Sequence, residues 1–114
     1  MNRRHLLAAP LALLPLPAVA QRAWPSQPIR LIIPFAPGVT DTIGRLVGAE
    51  MSRRLGQPIV AENRPGAGGN IGAEACARAT PDGNTICMGT ISSHAINAAV
   101  YPRLPYDTVN DFTP

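Results

Sequence analysis

The chain has 114 residues, a formal charge of +3, 15% charged residues, 4% aromatics and no lysine. With no basic cluster after residue 20 beyond Arg53-Arg54, it lacks the charge and stacking groups of a nucleic-acid-binding surface. Its length suits one small domain with a modest core, and no stretch is apolar for long enough to cross ~30 Å of hydrocarbon.

The first twenty residues read as an export signal. Asn2-Arg3-Arg4-His5 is a short basic start, Leu6 to Leu16 is mostly leucine and alanine, and Ala18-Val19-Ala20 offers small residues to a signal peptidase. Pro10, Pro15 and Pro17 interrupt the apolar run, which argues against a membrane anchor. The Arg3-Arg4 pair fits a twin-arginine motif only in part, so the export route stays open. Cleavage after Ala20 would lower the formal charge from +3 to +1 and deliver the mature chain to the periplasm.

Residues 21–28 form an extended lead-in with two prolines, and residues 29–114 hold the folded part. Ile29 to Phe35 is a near-continuous apolar run of strand length, as in a strand covered on both faces. Ala36 to Thr40 is the loop that follows. Asp41 to Leu55 predicts a helix whose apolar stripe is Ile43, Leu46, Val47, Met51 and Leu55. Thr40 or Asp41 would cap it, Gly56 would end it, and Pro58 would enforce the stop.

The pattern then repeats. Pro58 to Glu62 is a second strand, Asn63 to Gly69 a glycine-rich loop, and Asn70 to Ala79 a second helix. Pro81-Asp82-Gly83 is a turn. Asn84 to Thr90 is a third strand, Ile91 to His94 a third loop, and His94 to Tyr101 a third helix capped by Ser93. Pro102 to Pro114 is irregular. Strand, loop and helix alternating three times predict a parallel α/β sheet, and ligands of such sheets sit outside the carboxyl ends of the strands.

All three polar loops fall on that edge. Gly38, Gly66, Gly68 and Gly69 leave backbone bare, while Thr40, Asp41, Asn70, Thr90, Ser93 and His94 offer donors and acceptors. Helix N-termini pointing at one spot favour an anion such as a carboxylate. Asp41 runs against that trend, so it either faces an amino group or caps its helix. Each residue taken singly is also an ordinary capping or turn residue; the set carries the reading.

Other chemistries find little support. Gly66-Ala67-Gly68 with Gly72 resembles a dinucleotide fingerprint, but the acid expected at the end of the next strand is missing, since that strand ends Met88-Gly89-Thr90. No cofactor is therefore expected. Ser92, Ser93 and His94 are adjacent, which alone does not place a hydroxyl on an imidazole, and no Gly-x-Ser-x-Gly elbow is present. The chain does not read as an enzyme. No Cys-x-x-Cys or His-x-x-x-His spacing suggests a metal. Cys76 on a helix and Cys87 in a strand read as small buried hydrophobes rather than as a bridge, although an oxidising compartment permits one.

The motifs resemble one family closely. They are Pro28-Ile29-Arg30-Leu31-Ile32-Ile33-Pro34-Phe35-Ala36-Pro37-Gly38, Thr40-Asp41-Thr42-Ile43-Gly44-Arg45, Leu55-Gly56-Gln57-Pro58 and Glu62-Asn63-Arg64-Pro65-Gly66-Ala67-Gly68-Gly69-Asn70-Ile71-Gly72. Pro81-Asp82-Gly83-Asn84-Thr85, Met88-Gly89-Thr90, His94-Ala95-Ile96-Asn97, Leu104-Pro105-Tyr106-Asp107 and Asp111-Phe112 continue it. In order and spacing they resemble the substrate-binding receptors of tripartite tricarboxylate transporters, the Bug receptors. The resemblance implies a periplasmic binding protein of two α/β domains, of type II topology, closing on a small carboxylated solute and delivering it to membrane permease subunits. It implies a site made of Phe35, Ala36, Pro37, Gly38, Thr40 and Asp41 with Thr90, Ser93, His94 and Ala95. The family's first loop usually reads Pro-Gly-Gly-x-Thr-Asp, whereas Pro37-Gly38-Val39-Thr40-Asp41 is one residue shorter. The chain also stops at Pro114, where the family continues; the expectation is a partial first domain that binds weakly by itself.

Overall fold

A computed structural model describes residues 23–114. The export signal and its cleavage point lie outside the described residues. Three parallel strands, β1 (Ile29–Ile33), β2 (Ile59–Asn63) and β3 (Thr85–Cys87), form one sheet in the order β2-β1-β3. Helix α1 (Val39–Leu55) connects β1 to β2, and α2 (Asn70–Ala77) connects β2 to β3. A π-helical turn at Ser92–Ile96 runs into a last short helix, α3 (Asn97–Val100).

Strand β1 is the centre of the molecule. It pairs with β2 from Ile29↔Ile59 to Ile33↔Asn63 and with β3 from Arg30↔Thr85 to Ile32↔Cys87. Ile29, Leu31, Ile32 and Ile33 are buried, as is Pro34 after them. Burial of Ile32 as well as of Ile29, Leu31 and Ile33 follows from cover on both faces, because alternate side chains point to opposite sides of the sheet; Arg30 alone in the strand is exposed. The strand ends two residues before Phe35, where the sequence had placed its end, because Pro34 has no N–H to continue the ladder.

Packing of α1 departs from expectation. Met51 and Leu55 are half-buried, but Ile43, Leu46 and Val47 are 47%, 68% and 54% exposed. The buried positions are Asp41, Gly44 and Gly48. A Cβ on Gly44 would stand 3.0 Å from Ile33 Cδ1, and one on Gly48 would stand 3.1 Å from Ile59 Cγ2. The helix therefore lays its backbone, not its leucines, against the sheet. That close approach needs the two glycines one turn apart and leaves the larger apolar side chains looking outward.

The ends of the helices differ from the expected ones in the same spirit. Helix α1 starts at Val39, so Thr40 and Asp41 lie within its first turn and neither is the cap. The Gly38 carbonyl instead accepts from the Thr42 N–H at 2.9 Å and from Thr42 Oγ1 at 3.0 Å. Gly56 does end the helix, in the left-handed conformation with φ 71°. The last helical run begins before Ser93, which is buried inside it, and Thr90 takes the capping place instead.

Candidate functional site

Parallel pairing puts the three loops that follow β1, β2 and β3 on one edge of the sheet. They meet at Gly69. A Cβ there would stand 3.1 Å from Phe35 Cζ of the first loop and 3.6 Å from Ser93 Cβ of the third. The convergence expected from the alternating pattern is thus a contact between side chains and bare backbone.

The first loop is held from outside itself. Ala36, Pro37 and Gly38 are exposed and Phe35 is half-buried. Asn63, the last residue of β2, donates from Nδ2 to the Phe35 carbonyl at 2.9 Å and to Asp41 Oδ1 at 2.8 Å. Arg45 closes the group, its Nε meeting Asp41 Oδ1 at 2.9 Å and Oδ2 at 3.0 Å, its Nη2 meeting Asn63 Oδ1 at 2.9 Å. Asp41 therefore neither caps the helix nor offers its carboxylate to an amino group. The bonds from Arg45 and Asn63 hold its carboxyl below the usual carboxylate range. Thr40 is half-buried beside it.

The second loop is held by its own backbone. From Gly66 to Gly69 every φ is positive, at 127°, 48°, 64° and 95°. Glycine adopts such angles without penalty; Ala67 does so only because its neighbours fix it there. Three residues on, a Cβ at Gly72 would fall 2.6 Å from Pro34 Cα and 2.8 Å from the Arg64 carbonyl oxygen, so backbone lies directly on backbone. Buried amides brace the turn. Asn97 Nδ2 donates to the Gly68 carbonyl at 2.8 Å and to Asn70 Oδ1 at 2.6 Å, while the Tyr106 hydroxyl lies 2.6 Å from the Ser93 carbonyl oxygen and 2.9 Å from Asn70 Oδ1.

In the third loop Thr90 and Ser93 bond reciprocally. The Thr90 N–H donates to Ser93 Oγ at 3.1 Å, and the Ser93 N–H donates to Thr90 Oγ1 at 3.2 Å. This is the logic of a capping box, in which two orphan donors satisfy one another's residues. Ser93 Oγ also lies 2.9 Å from His94 Nδ1, so the fold does place a hydroxyl on an imidazole. Ser93 is 0% exposed, however, and its hydroxyl has no path to a substrate. His94 is half-buried, its ring 4.7 Å from that of Phe112, and Ala95 is exposed.

The expected site residues therefore divide. Ala36, Pro37, Gly38 and Ala95 are open, Phe35, Thr40, Thr90 and His94 are partly covered, and Asp41 and Ser93 point into the protein. Asn70, expected to offer polar atoms outward, is likewise 5% exposed and bonded inward. Asn63, Arg45, Asn97 and Tyr106, which fix the loops, were not among the expected site residues. A polar residue at the carboxyl end of a strand, as Asn63 is, was the one available cue. Two concavities lie away from the first loop. One of about 830 Å³ runs beside β3 past Cys76, Cys87, His94 and Phe112; a shallower one of about 580 Å³ lies between Ala98 and Asp111.

Comparisons with known proteins agree with this architecture. Residues 43–114 match the model of the tripartite tricarboxylate transporter family receptor. MatC from Rhodopseudomonas palustris, solved with bound malate, superposes with a TM-score of 0.77 at 44% identity, over 80% of this chain and 31% of that one. A second R. palustris protein, solved with adipate, gives 0.77 at 42% identity over the same shares. The periplasmic binding protein BugD gives 0.76 at 35% identity, over 80% and 30%. The class is an α/β periplasmic binding protein, and the chain belongs to the tripartite tricarboxylate transporter receptor family. That family consists of substrate-binding receptors rather than enzymes. The chain spans about a third of the length of the curated relatives it matches.

Proposed function

We propose that this segment forms one wall of the cleft of a periplasmic solute receptor, which captures a small dicarboxylate for membrane permease subunits. The observation that carries the reading is the meeting of three loops at Gly69 on the carboxyl edge of a parallel sheet. The malate and adipate held by the two R. palustris relatives supply the ligand class. In this reading backbone, not side-chain charge, receives the carboxylate. The first N–H groups of α1 have no intrahelical acceptor, and the helix N-terminus favours an anion by about 0.3–1 kcal/mol. Exposed Ala36-Pro37-Gly38 gives the ligand access to them. Thr40 adds a hydroxyl, and His94 and Ala95 close the third-loop side. Phe35, Asp41, Thr90 and Ser93 hold the frame, with the charge of Asp41 matched by Arg45. The basic, apolar and small-residue regions of residues 1–20 support export to the periplasm.

The test is calorimetric titration of a receptor-length protein carrying this segment with malate, adipate and the corresponding diamides. Saturable binding of a diacid, lost in its diamide, is the expected result. Equal binding of the diamides, or no binding of any of the four, would falsify the reading.

A further inference from the structure

Helix α2 and strand β3 are joined by the turn through Pro81-Asp82-Gly83, and each carries one cysteine near its end. Cys76 is the penultimate residue of α2, and Cys87 is the last residue of β3. Both are free and half-buried, and both line the concavity beside β3. Helix α2 packs against β3, which brings the ends that carry them to one wall of that concavity. A metal does not account for the pair, since no group of three His, Cys, Asp or Glu side chains suited to an ion exists among the described residues.

We propose that Cys76 and Cys87 are a disulfide-forming pair, closed by a small-molecule or protein disulfide donor in an oxidising compartment, that ties the end of α2 to the edge strand β3. The chemistry is two successive thiol–disulfide exchanges. The Cys76 thiolate attacks one sulfur of the donor disulfide, the donor S–S bond breaks, and one donor thiolate leaves. Cys87 then loses its proton to solvent and attacks the Cys76 sulfur, expelling the second donor thiolate. Two protein thiols are oxidised and one donor disulfide is reduced to two thiols. The order follows from the surroundings. The neighbouring Cys87 thiol holds the Cys76 thiol below its ordinary value, with Arg30 favouring its charge, while the Cys76 side chain and burial push Cys87 up. Cys76 is thus the thiol that ionises first. Strand β3 is only three residues long and lies at the sheet edge, so a covalent tie there holds the element with the fewest ladder bonds. The cross-link does not depend on the ligand proposed above.

The experiment is equilibration of the purified, reduced chain with an excess of oxidised over reduced glutathione, then acid quench and alkylation in denaturant. Intact mass should show the loss of two hydrogens and no alkylation. Trypsin cuts after Arg78, between the two cysteines, so the digest should contain one linked pair of peptides that reductant separates. Two alkylated cysteines, glutathione adducts without an internal link, or a dimer between chains would each overturn the proposal. A second reading uses urea. The oxidised chain should unfold at a higher midpoint than the reduced one, and Cys76→Ser should show no such difference. Equal midpoints for the two states of the unaltered chain would remove the structural role.

Discussion

The first and second loops lie side by side on one sheet edge, yet take their shapes from opposite sources. The first has three exposed residues, Ala36, Pro37 and Gly38, and is pinned by Asn63, a side chain from another strand. The second is shaped by four consecutive residues of positive φ and by the close approach of Gly72 to Pro34. A loop built on a borrowed side chain keeps its own backbone free to meet a ligand. A loop built on backbone torsions is rigid but has little left to change.

The difference is open to attack, most strongly at Gly72. Gly72→Ala drives a methyl into the backbone of Pro34 and Arg64, and should cost about 3 kcal/mol in urea denaturation, the upper end of overpacking penalties. Asn63→Ala should cost about 2 kcal/mol, since it strands the Phe35 carbonyl and one face of the Asp41–Arg45 pair. Its signature is local: amide exchange should quicken at residues 36–41 and stay unchanged at 66–69. Uniform quickening across both loops would show that they are one unit after all. Tyr106→Phe removes a hydroxyl from the Ser93 carbonyl and should cost about 1 kcal/mol, with the loosening confined to the second and third loops.

Acid should separate the loops further. Asp41 has a folded-state pKa below its unfolded value, so its contribution is complete above the unfolded pKa and is lost as pH falls through the folded one. Below about pH 4 the first loop should therefore loosen before the second. Glu50, Asp82 and Asp107 are shifted in the same direction, so exchange at individual amides, not a global melt, is the measurement that isolates Asp41. Smallest of all, Glu50→Gln removes exposed pairs with Arg53 and Arg54 on the far side of α1 and should leave the urea midpoint where it is.

Much of the fold was legible because apolar runs, glycine and proline are local signals. The three strands, their parallel arrangement and the stop at Gly56 all follow from such signals. The face of α1 was not legible, because periodicity counts apolar residues while Gly44 and Gly48 pack through what they lack. The convergence of the three loops was legible, but the partners of their side chains were not. Asp41, Asn70 and Ser93 look like ligand contacts in a linear reading; only their partners, Arg45, Asn97, Thr90 and Tyr106, show that they brace the frame. Those partners lie from three to thirty-six residues away, and composition says nothing of which polar atoms will find each other.

The central position of β1 has a consequence for how the chain acquires its structure. The strand with the most buried residues is made first, yet Ile29 waits for Ile59 and Arg30 waits for Thr85. No hairpin offers it a nearby partner, so the sheet cannot zip up from a local nucleus and closes only after two long loops of chain have been drawn in. Assembly is therefore slow to begin, because no ladder bond of β1 can form before the chain has reached Ile59.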